Sequence, residues 1–298
     1  MKIIHLSDTH LSKSHPLFHV NWTFLSEKII SINPDLIIHS GDVALSDPDR
    51  IEDIEFAKSC LDSLKIDYMV VPGNHDIGDN DIEVDWLKAK PKICSESRRE
   101  NWQRVFGDDF WLRSKGNYNF LGINSQLIGS RLEAEKQQND MIDLALEKKS
   151  QELSNLIVVS HKPFYSQEDG SDRLLWSIPE PESKMLEHKF IQKHLPLMLS
   201  GHLHRYKIIK RDGLTRVWGA SSAFVVTHQR FIRRQGLIKV GFVVVELLDS
   251  LEAKKDFEAK IDFCTDLRCI DMDIANWLEE ESLGMSGILS DDFPLQLV

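Results

Sequence analysis

The sequence predicts an α/β protein, and three observations carry that reading. Apolar runs of strand length alternate with amphipathic stretches of helix length, several of these runs end on glycine or on a metal-binding side chain, and the chain past residue 206 reads as strands joined by turns. Residues 2–7 (KIIHLS) form the first strand-length run, followed by a helical stretch at 22–32, a strand at 35–40, a helix at 54–64 and a strand at 68–71. Alternation of this kind is how parallel strands joined by helical crossovers are written in sequence. Residues 77–115 hold many charges and three tryptophans, Trp86, Trp102 and Trp111, and read as a helical insertion over one edge. The alternation resumes with a strand at 118–124, a helix at 134–149, a strand at 156–160, a helix at 183–194 and a strand at 197–200. The segments YKIIKR, TRVWGA and KVGFVVVEL follow, the first two joined by Asp212-Gly213, a pair suited to a tight hairpin turn; this tail of strands suggests a second sheet.

With 298 residues and 42% hydrophobic content, the chain is long enough for a sizeable core, so one large domain, with or without an appendage, is expected. The formal net charge of -11 argues against a nucleic-acid polymer or an anionic membrane as general partner, because both select basic surfaces. The opening MKIIHLSDTHLS lacks the basic start, long apolar stretch and small-residue cleavage site of a signal peptide, so a cytoplasmic protein is expected. No apolar run approaches the roughly 18 to 20 residues of a membrane-spanning helix, and no transmembrane segment is expected. Cys60, Cys94, Cys264 and Cys269 show no C-x-x-C spacing and read as free thiols, with Cys264 and Cys269 as the one pair near enough to face each other. Asn21-Trp22-Thr23 matches a glycosylation acceptor and, without a secretory signal, reads as chance.

The chemistry lies at the ends of the strands. Five strand-like runs end in turn on Asp8 and His10, Gly41-Asp42, Gly73-Asn74-His75-Asp76, His161, and Gly201-His202-Leu203-His204. In an α/β sheet the carboxyl ends of parallel strands line the ligand crevice, so such clusters meet in space. Asp8 and His10, like His202 and His204, sit two apart, which in extended backbone sends both side chains to one side. The glycines allow sharp turns and leave room beside the ligands. Carboxylates, an amide oxygen and imidazoles, with no cysteine, favour Mn, Fe, Co or Zn, with Mg compatible. Seven candidate ligands exceed one tetrahedral site with an open position, and suit two adjacent metals that share a carboxylate. Neither a G-x-S-x-G elbow nor a G-x-x-x-x-G-K-[ST] loop is present to suggest another chemistry.

These residues are similar to the calcineurin-like metallophosphoesterases, whose pattern D-x-H, G-D, G-N-H-[D/E], H and G-H-x-H occurs complete and in order. The resemblance implies a four-layer α/β/β/α sandwich of two mixed sheets flanked by helices. It implies one metal on Asp8, His10, Asp42 and His204 and a second on Asp42, Asn74, His161 and His202, bridged by Asp42. By the same resemblance His75 is no ligand but a catalytic residue that faces substrate, stabilising phosphoryl oxygens or protonating the leaving alkoxide, with Asp76 as its orienting partner. The implied cofactor is a pair of divalent or trivalent ions, Mn, Fe or Zn first and Co or Mg as alternatives, and the implied reaction is phosphate-ester hydrolysis by metal-activated water.

Gly122, Asn124-Ser125-Gln126-Leu127, the helix starting near Ala134 and His161-Lys162-Pro163 look similar to the bacterial phosphodiesterase-like branch of that family. Val43-Ala44-Leu45 stands where the family's protein phosphatases carry Asp-Arg-Gly. A small-molecule or lipid phosphodiester is therefore the expected substrate, of cyclic-nucleotide or glycerophosphodiester type. A phosphomonoesterase and a catalytically silent scaffold are the alternatives, and a homodimer is compatible with the sequence. The expected organisation is a catalytic domain at 1–248, with the insertion at 77–115 near the active site, and an acidic extension at 249–298.

From Arg205 to Lys239 the chain has nine Lys or Arg residues and one acid, Asp212; this reads as a solvated basic face, or alternatively as a substrate-attracting one. His5 and His39 read as packed or outer-shell residues beside the ligands, and His15, His19, His188, His194 and His228 as surface or packing residues. The three tryptophans either pack the insertion or cover the metals.

Overall fold

The computed structural model describes residues 1–16, 18–45, 47–81, 91–149, 155–167, 176–225, 235–248, 259–264, 270–271 and 296–297. The chain opens with β1 (Lys2–Leu6), α1 (His19–Ile32), β2 (Leu36–His39), α2 (Ile51–Ser63) and β3 (Tyr68–Val70). The helices form where apolar positions recur at helical spacing: α1 buries Leu25 and Ile29, and α2 buries Ile54, Ala57 and Leu61. Asn33, with left-handed backbone at φ 49°, closes α1 by donating its amide to the carbonyls of Ile29 and Ile30. Then come the single turn α3 (Asn74–Ile77), α4 (Glu96–Phe106), β4 (Trp111–Lys115), β5 (Tyr118–Ile123), α5 (Glu133–Lys148), β6 (Leu156–Ser160), α6 (Glu182–Gln192) and β7 (Leu197–Ser200). The hairpin β8 (Lys207–Arg211) and β9 (Leu214–Trp218) turns on Asp212 and Gly213, at φ 55° and 79°. Positive φ at both positions matches the twist of the flanking strands. β10 (Phe242–Leu247), β11 (Ala259–Cys264) and the short pair β12 (Ile270–Asp271) and β13 (Gln296–Leu297) complete the described elements.

Two mixed sheets result. The first runs β11-β10-β1-β2-β3, with β1, β2 and β3 parallel and β10 antiparallel to both its neighbours. The second runs β4-β5-β6-β7-β9-β8, with β5, β6, β7 and β9 parallel and the edge strands β4 and β8 antiparallel. The tail of strands expected to build a second sheet does not do so. β8 and β9 extend the sheet of β5 to β7, and β10 crosses back to lie beside β1. Sequence order marks strands but not partners, and burial selects the partner.

Alternation within each strand explains the layers. Ile3 of β1, Leu36 and Ile38 of β2, Ile157 and Val159 of β6 and Val243 and Val245 of β10 share the cluster between the sheets. Their neighbours Ile4, Leu6 and Ile37 pack outward with Leu25 and Ile29 of α1 and Leu61 of α2. Leu121, Leu156, Val158 and Met198 pack outward on the other side with Ile142 of α5 and Phe190 of α6. The central strands β1, β2, β6 and β7 are thus buried on both faces, which is why they read as continuous apolar runs. Burying each such side chain contributes about 1.5–3 kcal/mol relative to exposure.

The stretch 77–115, expected to be helical, holds α4 and also the edge strand β4. Trp102 is fully buried and stacks on Phe106 at 4.5 Å. Trp111 fills the space beside Gly122, where an added Cβ would meet its ring at 2.3 Å, and its indole donates to the Val70 carbonyl at 2.8 Å. These two tryptophans pack rather than cover metals, and Trp86 lies outside the described residues. Asn21 is buried and donates to the Ala223 carbonyl at 2.8 Å, so the acceptor motif is closed to modification in the folded chain. Cys60 and Cys94 are free thiols, while Cys269 and most of 249–298 lie outside the described residues. Among the described residues no helix is long and apolar enough to cross a membrane.

Candidate metal centre

β1, β2 and β3 of one sheet and β6 and β7 of the other all end at the same seam, and every candidate ligand follows one of these ends. Asp8 and His10 follow β1, Asp42 follows β2, Asn74 begins α3 after β3, His161 follows β6, and His202 and His204 follow β7. Five of the seven have left-handed backbone: Asp8 (φ 53°), His10 (44°), Asp42 (54°), His202 (67°) and His204 (50°). This corrects the expectation that Asp8 with His10, and His202 with His204, converge through extended backbone. The strands stop at Leu6 and Ser200, and the turns beyond them aim the side chains. Left-handed backbone at ordinary residues stores strain of order 1–3 kcal/mol each, held by the surrounding packing, and concentrates at functional sites.

The side chains come together in three overlapping groups whose ligand atoms lie within 4.8 Å of one another: Asp8, His10 and His204; Asp42, His161 and His202; and His10, Asp42 and His75. Asn74 Oδ1 lies 3.1 Å from His161 Nε2 and joins the second group. Asp42 Oδ2 lies 3.2 Å from His161 Nε2 and 3.9 Å from His10 Nε2, so one carboxylate oxygen stands between the first two groups.

Hydrogen bonds on the far side of five of the seven candidate ligands fix their direction. His10 Nδ1 faces the Leu45 carbonyl at 3.0 Å, His161 Nδ1 the Ser40 carbonyl at 2.8 Å, and His204 Nδ1 the Phe224 carbonyl at 3.1 Å. A carbonyl only accepts, so all three Nδ1 atoms carry hydrogen, and Nε2 is the ring atom turned inward. His10 Nε2 and His204 Nε2 then face each other at 3.3 Å, close enough for one proton or one cation to lie against both. Each carboxylate is likewise held by one oxygen. Asp8 Oδ2 accepts from Ser7 Oγ and from the His202 amide at 3.1 Å, while Oδ1 is buried without a hydrogen bond, 3.3 Å from His204 Nε2. Asp42 Oδ1 accepts from the His75 amide at 2.9 Å and leaves Oδ2 for the centre. Buried polar atoms are rarely left unmatched. An orphaned carboxylate oxygen among inward-facing imidazole nitrogens fits a metal centre.

The charges agree with the geometry. Burial pushes the carboxyl groups of Asp8 and Asp42 up, but the surrounding imidazoles, His204 for Asp8 and His161 for Asp42, outweigh it and hold both below the usual carboxylate range. Burial lowers His10 to about 3 and keeps it neutral. His161 is different: burial lowers it, yet Asp42 beside it wins and raises it to about 9. A proton on His161 Nε2 points toward Asp42, and an ion bound there would have to displace it.

His75 Nε2 lies 3.9 Å from Asp42 Oδ2, and its ring meets that of His10 edge-on at 4.9 Å. Its side chain is 11% exposed, whereas those of His10 and His161 are fully buried, so the turn of Asn74 and His75 marks the mouth of the site. Asp76 does not orient His75. Its carboxylate accepts from the amides of Gly73 at 2.8 Å, Ala44 at 2.9 Å and Val43 at 3.3 Å, tying the turn after β2 to the turn after β3. Burial, then Asp42, raises this carboxyl to about 7.

Gly73 shows how close the two turns lie: an added Cβ would meet Asp42 Oδ1 at 2.1 Å and the Asp42 amide at 2.4 Å. Backbone stands in the way, so a flexible side chain cannot relieve the clash. Gly73→Ala is expected to destabilise the protein by about 1–3 kcal/mol through overpacking and to strip bound metal, measured by thermal unfolding and by metal analysis of the purified variant.

Several partners carried no sequence signal. The Leu45, Ser40 and Phe224 carbonyls are backbone groups, and Ser7 and Ser221 are ordinary serines until the fold sets them against Asp8. His39 was legible as an outer residue: its Nδ1 accepts from the Gly41 amide at 3.2 Å and its Nε2 meets Thr9 Oγ1 at 3.0 Å. His19 stacks on Phe56 at 5.1 Å, and His188 and His194 are exposed. Lys162 is buried and donates to Asp79 at 2.5 Å and Asn80 at 2.8 Å, which makes it structural. Asn124 caps the short turn Ser125–Leu127 through the Gln126 amide at 3.0 Å. In the basic segment, Arg216 is buried against Glu187 and Lys207 meets Gln235 at 2.9 Å, while Arg230, Arg233, Arg234 and His228 lie outside the described residues.

Comparison with known proteins agrees with this architecture. A protein of Bos taurus named serine/threonine-protein phosphatase CPPED1 is 29% identical over 182 residues, covering 58% of this chain and 54% of that protein. A protein of Xenorhabdus bovienii named a probable cyclic nucleotide phosphodiesterase is 36% identical over 115 residues, 34% of this chain and 45% of that protein. The matches thus span about half the length of these relatives. Among solved structures, a dimetal phosphatase from Danio rerio superposes with TM-score 0.58 at 10% identity, covering 89% of this chain and 98% of that one. GAP50 of Plasmodium, described as the anchor in the inner membrane complex, superposes with TM-score 0.58 at 14% identity over 89% of this chain and 84% of that one. At such identities the likeness speaks for the fold. The family model described as Calcineurin-like phosphoesterase matches residues 1–206, and the chain belongs to that family.

Proposed function

We propose that this protein is a dinuclear metal phosphodiesterase acting on a small or lipid-like diester of cyclic-nucleotide or glycerophosphodiester type. The observation that carries the metal reading is the set of imidazoles pinned through Nδ1 to backbone carbonyls, with Nε2 converging on the buried oxygens of Asp8 and Asp42. Asp8, His10, Asp42 and His204 would hold one ion, and Asp42, Asn74, His161 and His202 the other, with Asp42 shared. The nitrogen and oxygen donors suit Mn, Fe or Zn, with Co or Mg as alternatives. When bound, such a pair supplies an activated water near neutral pH and positive charge opposite the phosphoryl oxygens.

The chain's own residues do the rest. Ser7 and the His202 amide hold the Asp8 carboxylate in one orientation, and the His75 amide does the same for Asp42. His75, at the partly exposed mouth, would face the phosphoryl group and either stabilise its oxygens or protonate the departing alkoxide. The preference for a diester rests on the relative named a probable cyclic nucleotide phosphodiesterase and on Lys162, whose ammonium is committed to Asp79 and Asn80 rather than free to clamp a dianionic monoester. The relative named a serine/threonine-protein phosphatase favours the second reading, a phosphomonoesterase with the same metals.

The purified protein is expected to carry Mn, Fe or Zn and to hydrolyse a generic aryl phosphodiester, losing activity on chelation and regaining it when metal is restored. Undiminished activity of metal-free protein would overturn the mechanism. A panel of cyclic nucleotides, glycerophosphodiesters and phosphomonoesters decides between the two readings, with higher kcat/KM on diesters expected.

A further inference from the structure

Behind Asp8 runs a buried chain of polar side chains that belong to none of the five motifs. Ser7 Oγ donates to Asp8 Oδ2. Ser40 Oγ lies 2.9 Å from Ser7 Oγ and 3.3 Å from the Leu6 carbonyl, so its single hydrogen goes to the nearer, Ser7. His5 Nε2 lies 2.9 Å from Ser40 Oγ. The other ring nitrogen, His5 Nδ1, is buried with no partner among the described residues, so the ring proton belongs on Nε2 and is donated to Ser40. All donors then point one way: His5 to Ser40, Ser40 to Ser7, Ser7 to the carboxylate. His5, Ser7 and Ser40 are each at most 1% exposed.

The fold makes room for both ends of this chain. A Cβ on Gly201 would fall 1.7 Å from Ser7 Oγ, and one on Gly219 would fall 2.8 Å from His5 Cε1. Gly201 therefore stands before His202 because the Ser7 hydroxyl occupies the volume its side chain would need. Chains of aligned hydrogen bonds polarise one another, so Ser40 and His5 strengthen the bond that Ser7 makes. The consequence is directional: with Oδ2 engaged by Ser7 and the His202 amide, only Oδ1 faces His204.

We infer that Ser7, backed by Ser40 and His5, is a positioning residue that aims Asp8 Oδ1 at the ion held by Asp8, His10 and His204, and so sets the affinity of that ion without touching it. The inference rests on the dinuclear reading above. Outer-shell partners of metal ligands affect affinity by about 10–100-fold. A purely structural role would instead weaken both ions together with the fold.

The test is titration of metal-depleted full-length protein with Mn2+ against a chromophoric chelator, with thermal unfolding recorded alongside. Asp8→Asn and His202→Ala identify which binding step belongs to which ion. Ser7→Ala is expected to weaken the Asp8 step about 10–100-fold, and Ser40→Ala to weaken the same step less, with the His202 step unchanged in both. Wild-type affinity at both steps in Ser7→Ala and Ser40→Ala overturns the inference, as does equal weakening of both steps in parallel with lost thermal stability. If Ser7→Ala does not fold, Ser40→Ala decides alone: a weaker Asp8 step supports the inference and an unchanged one overturns it. Wild-type protein that takes up no Mn2+ overturns the dinuclear reading itself, an outcome distinct from the others.

Discussion

Asp42→Asn is expected to lower bound metal below two ions per chain and to reduce the hydrolytic rate by at least about a hundredfold, because loss of a mere outer partner of a ligand already costs 10–100-fold. The variant keeps the shape of the side chain and removes its charge. Oδ1 is bound to accept from the His75 amide, so the substituted carboxamide would keep its oxygen there and turn its NH2 toward His161 and His10. A donor then replaces the shared acceptor at the centre. Metal analysis of the purified variant and its rate on a phosphodiester check the prediction, and a variant with two ions and full rate would contradict it. A second readout is His161. Its raised pKa of about 9 comes from Asp42 against the pull of burial, so without Asp42 the imidazole should titrate lower. The sign for stability follows. In the metal-free protein the raised group stabilises the fold fully below its unfolded value near 6.5, and that contribution fades as pH rises through about 9. Asp42→Asn should flatten this dependence in thermal unfolding curves of the apo form.

His75→Ala is expected to slow hydrolysis by about 10²–10⁴-fold, the range for removal of a general acid or base, while both metals stay bound. His75 differs from the other imidazoles in two respects: it is partly exposed, and its backbone amide, rather than its ring, anchors Asp42. The amide survives the substitution, so the shared carboxylate keeps its orientation. Burial lowers the imidazole pKa and favours the neutral ring in the free protein, so as a general acid His75 must take up a proton when the anionic phosphate arrives beside it. Rates on substrates with leaving groups of different basicity give the sharper check: the loss should be largest for poor leaving groups, which need protonation most. His75 also lies within ligand reach of His10 and Asp42. An empty site in His75→Ala would therefore reassign it from the reaction to the metal.

That the eight motif residues gather in one place was legible because each follows an apolar run that becomes a strand ending at the same seam. The same reading failed where outcome depended on partners. The hairpin after His204 was visible from its Asp-Gly turn, yet its place in the sheet of β5 to β7 was not, since strands of equal apolarity compete until packing decides. The segment 77–115 looked helical from its charge, and β4 emerged there because Trp111 found Gly122 and the Val70 carbonyl. The Gly-Asn-His-Asp motif suggested a partnership of Asp76 with His75, whereas its carboxylate proved more useful to three backbone amides.

By itself the sequence determined the family and the candidate donor set: hard and intermediate donors without thiolate, set at strand ends, with a family pattern complete from Asp8 to His204. The tertiary structure decided their aim. The direction of these side chains comes from left-handed turns, from carbonyls of Leu45, Ser40 and Phe224, and from Ser7 beside Asp8, and the carbonyls are set by chain segments far apart in sequence from the rings they hold. Residue type limits which atoms can bind a metal, but backbone groups look alike in every sequence, so where a lone pair points is known only once the two sheets have met.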